Sequence, residues 1–223
     1  MFKKWLAIFK KDNLLHRAYQ QSFEMLDITQ MMFLEARESL RQRQDSEISL
    51  KVKETDKKVN SYEREVRRKV LNHLVVVGPT NLPSGLALVI IIIDIERIGD
   101  YAKNMVELAL DHPGKLHGGE FEDTLSRIEA AVEDNFIQTK QCLVRESADS
   151  ALKLLDKYAW VNDACDEIVI DVVREKDRNI EAGDAAALAL YTRYLKRINS
   201  HLRNITTSVV NPFDRIGFEP RNE

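Results

Sequence analysis

The sequence predicts an all-α protein built from two tandem three-helix bundles. Three observations carry that expectation: scarce breakers, long segments of helical periodicity, and an internal repeat. Only 8 glycines and 5 prolines occur in 223 residues, so turns are few and elements long. The strong breakers fall at Gly78-Pro79 through Gly85, at Pro113-Gly114 through Gly119, at Gly183 and at Pro212. Between them the spacing predicts six helices, at about 12–43, 46–76, 83–111, 120–147, 149–177 and 184–209.

Each element has its own signal. Gly78-Pro79-Thr80-Asn81 reads as the turn between the second and third helices. The third opens on Leu86 to Ile93, a run with strand-like composition. That run leads without a break into the 3.6-residue period around Glu96, so it reads as a buried helix. The Gly-rich stretch 113–119 lies near the middle and leaves three helices on each side. The halves align weakly but in order. Arg97 matches Arg197 and Asn104 matches Asn204, each 100 positions on, and Val59-Asn60 matches Val161-Asn162, 102 positions on. The expected organisation is a basic amphipathic segment at 1–11, a first repeat at 12–112, a second, degenerate repeat at 119–210 and a tail at 211–223.

Composition excludes several classes. The chain is 44% hydrophobic and 31% charged with a net charge of −3, which argues against nucleic acid as the partner. Cys142 and Cys165 have no metal-type spacing, and a reduced cytoplasmic protein is the plain reading. The longest apolar run, Leu86 to Ile93, is far short of the roughly 20 residues of a spanning helix. The apolar stretch Trp5 to Phe9 is too short for a signal peptide. No Gly-x-Ser-x-Gly, phosphate-binding Gly-rich loop or Cys-x-x-Cys is present, and no histidine follows a glutamate at the di-iron spacing. Nothing demands an enzyme.

The chemistry gathers on two helices. Glu96, Asp100 and Asn104 stand at i, i+4 and i+8, which stacks two carboxylates and an amide on one helix face. Asp56, Asn60 and Glu63 make a similar face on the preceding helix. Antiparallel packing of the pair would join them into an oxygen-rich patch of four acids and two amides. Such donors suit magnesium, manganese, calcium or iron; zinc, which prefers nitrogen and sulfur, suits them less. The plain competing reading is that Asp94 and Asp100 form surface ion pairs with Arg97 and Lys103.

The segment Glu96-Arg97-Ile98-Gly99-Asp100-Tyr101-Ala102-Lys103-Asn104 resembles the signature of the PhoU family of phosphate-transport regulators. That family's helix carries Glu/Asp-x-x-x-Asp, usually within Leu-Glu-Arg-Ile-Gly-Asp-His-Ala-x-Asn-Ile. The stretch Asp56 to Glu63 resembles its partner motif, and the tandem layout resembles the family over nearly the whole chain. The resemblance implies a cytoplasmic, non-enzymatic regulator of phosphate uptake. It implies action with a membrane phosphate transporter, either an ABC-type importer or a sodium–phosphate symporter, and with a sensor kinase. Some members hold multinuclear metal clusters, which makes Asp56, Asn60, Glu63, Glu96, Asp100 and Asn104 the candidate ligands of a divalent or ferric ion here. The second repeat departs from the pattern: Lys196 stands at the Glu96 position and Ser200 at the Asp100 position. A lysine there would pair with an acid that a metal would otherwise neutralise, so one acidic site is expected, in the first half only. The rival readings are a metal-dependent phosphohydrolase and a metal-free helical adaptor.

Two end segments complete the expectations. Phe2, Trp5, Leu6 and Phe9 fall on one helical face among Lys3, Lys4, Lys10 and Lys11, the pattern of a short helix on an anionic membrane surface. The same face would also fit the bundle or a second subunit, which makes a homodimer the other partner it suggests. The tail Asn211 to Phe218 is apolar enough to dock on the bundle or on a partner.

Overall fold

The computed structural model describes residues 13–42 and 51–220; the expectation for residues 1–11 falls outside them. Among the described residues seven α-helices follow in order: α1 (Leu14–Arg41), α2 (Lys51–Val77), α3 (Leu82–Asp111), α4 (Glu122–Arg145), α5 (Ala148–Lys157), α6 (Ala159–Val173) and α7 (Ala182–Thr207). Single 3₁₀ turns lie at Pro79–Asn81, Gly119–Phe121 and Phe213–Arg215. No strand occurs among the described residues. Asn13 starts α1, its side chain accepting the His16 amide at 3.0 Å, and Ser147 does the same for α5 through Ser150.

The fifth expected helix, 149–177, is two. Tyr158 divides α5 from α6, and no proline or glycine marks the place. Its ring is buried, its hydroxyl donates to Asp134 on α4, and its carbonyl accepts the Asn199 amide at 3.4 Å. The Tyr158 carbonyl also accepts the Val161 amide at 3.3 Å in a tighter i+3 turn, and the Leu155 carbonyl before it is taken by Arg203 of α7, so the α-helical ladder is interrupted there. The run Leu86–Ile93 is helical, as expected. It lies in α3, which packs against α1, α2 and α7. Burial on several sides lets β-branched residues compensate for their weaker helix propensity, each buried Ile contributing about 2 kcal/mol.

Helices α1, α2 and α3 pack together, α4 to α7 pack together, and α3 against α7 is the principal seam between them. The buried apolar residues form one continuous core from Leu15 to Val209. Phe33 of α1 stacks on Phe136 of α4 with ring centroids 5.5 Å apart. The tail folds back on the bundle: the Gly217 amide donates to Thr207 Oγ1 at 2.7 Å, and Asn211 holds the carbonyls of Arg215 and Phe218.

The link between the halves is fixed by charge. Arg41, at the end of α1 and 8% exposed, donates to Glu129 Oε1 at 2.9 Å, to the Leu116 carbonyl at 2.5 Å and to Glu122. Tyr191 of α7 donates to the same Glu129 oxygen at 2.6 Å. Beside them, His112 Nε2 meets Asp184 Oδ1 at 2.7 Å. Gly119 turns the link at φ 53, and a β-carbon there would stand 2.4 Å from Asp177 Oδ2, so the position requires glycine.

Removing Arg41 would leave Glu129 buried without its cation. Arg41→Ala should therefore cost about 3 kcal/mol in urea unfolding, the loss typical of breaking a buried pair from one side. A change below about 1 kcal/mol, the value of an exposed pair, would show that this network does not hold the halves.

Candidate metal centre

Helix α2 packs on α3, and it does so with the two acidic faces together. Glu96 feels Asp100, Glu63 and Asp56 as neighbouring charges, which places all four acids in one patch. Burial first, and then Asp100 and Glu63, push the Glu96 carboxyl above its usual range, while Arg97 pulls the other way. Asn60 donates its amide to Asp56 Oδ2 at 3.3 Å. Asn104 lies half-buried one turn beyond Asp100.

The patch carries its own cations. Lys103 Nζ stands 3.4 Å from Asp56 Oδ2 and 3.2 Å from Asp100 Oδ1, bridging the two helices. Burial draws the Lys103 pKa down, but the hydrogen bond it donates to Asp100 and the charge of Asp56 more than offset it, and the pKa is raised. Lys103 is thus a permanent ammonium at neutral pH. Arg67 binds Glu63 at 2.6 Å, and Arg97 lies 3.8 Å from Glu96 and 3.9 Å from Asp100. Among the described residues, no group of three or more His, Cys, Asp or Glu side chains is gathered as a ready metal cage. The donors are all oxygens, the right chemistry for a hard cation, and Lys103 stands in for that cation between Asp56 and Asp100. Its side chain is long and 27% exposed.

The second half is wired differently. Lys196, at the Glu96 position, pairs with Asp166, which Arg193 also approaches at 3.5 Å. Ser200, at the Asp100 position, accepts the Asn162 amide at 3.1 Å. Asn162 in turn accepts from Asn199 at 3.0 Å, and Asn199 accepts from Asn135 at 2.9 Å. Neutral amides and a hydroxyl fill the place that acids hold in the first half.

Asp94 departs from the expected surface pair with Arg97 and Lys103. It is buried, and its Oδ1 meets His201 Nδ1 at 2.7 Å and the Asn204 amide at 3.2 Å. Asp94 thus fastens α3 to α7. Nearby, Arg197 donates to the Tyr101 hydroxyl at 3.1 Å, and Tyr101 stacks on His201. Partners 107 and 110 residues away leave no local trace in a sequence. Lys103 was visible, but its role was not, because it occupies the variable position of the motif.

A helical protein with one acidic face between α2 and α3, and a neutralised counterpart between α6 and α7, defines a class. Residues 23–109 match the family model described as the PhoU domain. A curated relative from Thermotoga maritima, the phosphate-specific transport system accessory protein PhoU homolog 1, is 27% identical over 213 residues, covering 87% of this chain and 88% of its own length. A PhoU homolog of the same description from Synechocystis is 25% identical over 173 residues, covering 73% of each. In fold, the chain is similar to the crystal structure of PhoU from Pseudomonas aeruginosa, with TM-score 0.79, 22% identity and coverage of 88% of this chain and 95% of that one. It is likewise similar to PhoU from Streptococcus pneumoniae, with TM-score 0.76, 14% identity and coverage of 88% and 93%. Residues 23–109 thus match the PhoU domain, and most of the chain is similar to PhoU proteins in sequence and in fold.

The charge balance has a measurable sign. Glu96 has a raised carboxyl pKa in the fold, so the folded state prefers it protonated. The penalty is absent below the unfolded pKa and fully present above the folded one. Without metal, Glu96→Gln should raise the melting temperature at pH 7 and lose that gain as the pH falls towards 4. If the patch takes up manganese, excess manganese should reverse the sign, because an amide is a poorer donor to a hard cation than a carboxylate. An equal melting temperature for both proteins at pH 7 would remove the argument for crowded acids.

Proposed function

We propose that this protein is a non-enzymatic, cytoplasmic accessory regulator of phosphate uptake that acts on a membrane phosphate transporter. The relatives named above are described as accessory proteins of a phosphate-specific transport system, and they align with most of this chain. No helix among the described residues is long and apolar enough to cross a membrane, which fits action from outside the bilayer. The transporter is either an ABC-type importer or a sodium–phosphate symporter, and a sensor kinase is the further partner that the family resemblance implies.

The observation that carries the site is the four-acid patch between α2 and α3. Asp56, Glu63, Glu96 and Asp100, with Asn60 and Asn104, would hold a magnesium, manganese or iron ion in place of the Lys103 ammonium. When bound, that ion supplies charge and rigidity rather than an activated water. The protein's own residues would then do two things: Asp56 would tie α2 to α3, and Lys103 would be freed to the surface. Metal would thereby turn a self-neutralised seam into a stiff one with a changed external charge.

A metal-free adaptor is the second reading, favoured by Lys103 itself, which already neutralises Asp56 and Asp100. Calorimetric titration with Mn²⁺ separates the two. Under the metal reading, Lys103→Met tightens Mn²⁺ binding about tenfold or more and Asp100→Asn weakens it comparably. Each tenfold step corresponds to about 1.4 kcal/mol. Absence of Mn²⁺ binding by both wild type and Lys103→Met supports the adaptor. For the regulatory role, phosphate uptake by cells lacking the protein should escape restraint at high phosphate and be restored by the wild-type chain. Unchanged uptake would sink it.

A further inference from the structure

One end of the bundle has a surface unlike the rest. The start of α1 meets the ends of α2 and the beginning of α3 there. Gln21 donates to Glu65 at 2.9 Å and Tyr19 to the Ser84 carbonyl at 3.4 Å, which places Asn13 at the same end as the α2–α3 turn. Lys140 pairs with Asp27 and Asp94 with His201, so α4 and α7 also finish there. At this end α2 exposes Leu71, Val75, Val76 and Val77, with exposures of 62%, 76%, 81% and 49%. Leu82 at the start of α3 and Val144 near the end of α4 are exposed as well. A mostly apolar recess of about 380 Å³ opens at the same end, between Pro83 and Ala87 of α3, Ala148 of α5, and Phe213 and Ile216 of the tail.

The α2 face has a second feature. Arg64, Arg68, Leu71 and Val75 follow at i, i+4, i+7 and i+11, a single helical face that is cationic and then apolar towards its tip. Arg64 and Arg68 are exposed, and no carboxylate among the described residues forms an ion pair with either. Arg145 adds an exposed cation at the end of α4. Arg68 lies about 10 Å behind Val75 along the helix. That offset matches the headgroup layer, roughly 5–10 Å deep, between acyl chains and bulk water. A flat protein partner would not require charge and apolar surface to be staggered along one axis; a lipid–water boundary does. The carboxylates near this end are mostly engaged: Asp149 faces Lys153, Glu65 faces Gln21 and Lys69, Glu146 is half-buried, and Asp214 lies exposed on the tail. Asn13 lies at this end, and the sequence before it carries Phe2, Trp5, Leu6 and Phe9 among Lys3, Lys4, Lys10 and Lys11.

We infer that this end of the bundle docks directly on an anionic membrane surface, with Val75, Val76 and Leu82 entering the boundary of the acyl chains, Arg68 meeting lipid phosphates, and Arg64, about 16 Å behind Val75, adding longer-range attraction to the anionic surface. Shallow burial of a few aliphatic side chains plus several cations at about 1 kcal/mol each gives reversible, salt-sensitive attachment. The regulator reading does not depend on it, because the test contains no transporter and no metal.

The test is co-sedimentation of the full chain with protein-free vesicles, either phosphatidylcholine alone or phosphatidylcholine with phosphatidylglycerol. The wild type should bind the phosphatidylglycerol vesicles, tenfold or more better than the neutral ones, and release them at high salt. Val75→Glu with Val76→Glu should lower binding tenfold or more, and Arg64→Gln with Arg68→Gln should lower it severalfold. Met31→Glu, on the exposed side of α1, should leave it unchanged. Circular dichroism checks that each variant is folded, and Val75→Ser with Val76→Ser serves if the glutamates disturb the helix. Absence of binding by the wild type overturns the inference. So does unchanged binding by the folded valine variants, which would assign the contact to residues 1–12 alone. Binding only when a membrane protein is reconstituted into the vesicles also overturns it, in favour of a protein partner.

Discussion

A carboxylate on a packed helix face must find positive charge or hydrogen-bond donors, and that requirement shapes each seam of this protein. Glu129 and Glu122 are met by Arg41, Asp94 by His201 and Asn204, Asp184 by His112, Asp166 by Lys196, and Asp56 with Asp100 by Lys103. The apolar stripes bring the helices together, but they are continuous from one half to the other and do not distinguish them. The pairing of acids does. It fixes the link between the halves through Arg41 and joins α3 to α7 through Asp94.

The two halves solve the same requirement in different ways, and the difference locates the candidate site. Between α6 and α7 the solution is complete: amides and a hydroxyl bond one another, and Lys196 closes on Asp166. Between α2 and α3 four acids share three cations, Lys103, Arg67 and Arg97, and Glu96 remains the crowded member. Four acids against three cations leave the patch short of positive charge, and Arg97, 57% exposed and 3.8 Å from Glu96, is held more loosely than Lys103.

Much of this was legible in the chain. Breakers at 78–85 and 113–119 set the helices, and the spacing of Glu96 and Asp100 with Asp56 and Glu63 set the acidic face, because both are local periodicities. The loss of acids at Lys196 and Ser200 was legible too, through comparison of the halves. What escaped depends on distant partners. The helix breaks at Tyr158 where Arg203, Asn199 and Asp134 of other helices engage Leu155 and Tyr158. Asp94 turns inward because His201 and Asn204 receive it. Lys103 looked like one more surface lysine until α2 brought Asp56 within reach.

The central claim is that the α2–α3 patch is a cation site whose resident counter-ion is Lys103. Anomalous scattering from crystals of the protein soaked in manganese tests it most directly. The account predicts one peak among Asp56, Glu96 and Asp100, with the Lys103 side chain turned out to solvent and no matching peak beside Asp166 and Lys196. A patch without a peak at saturating manganese, or a peak on the second half instead, would contradict it.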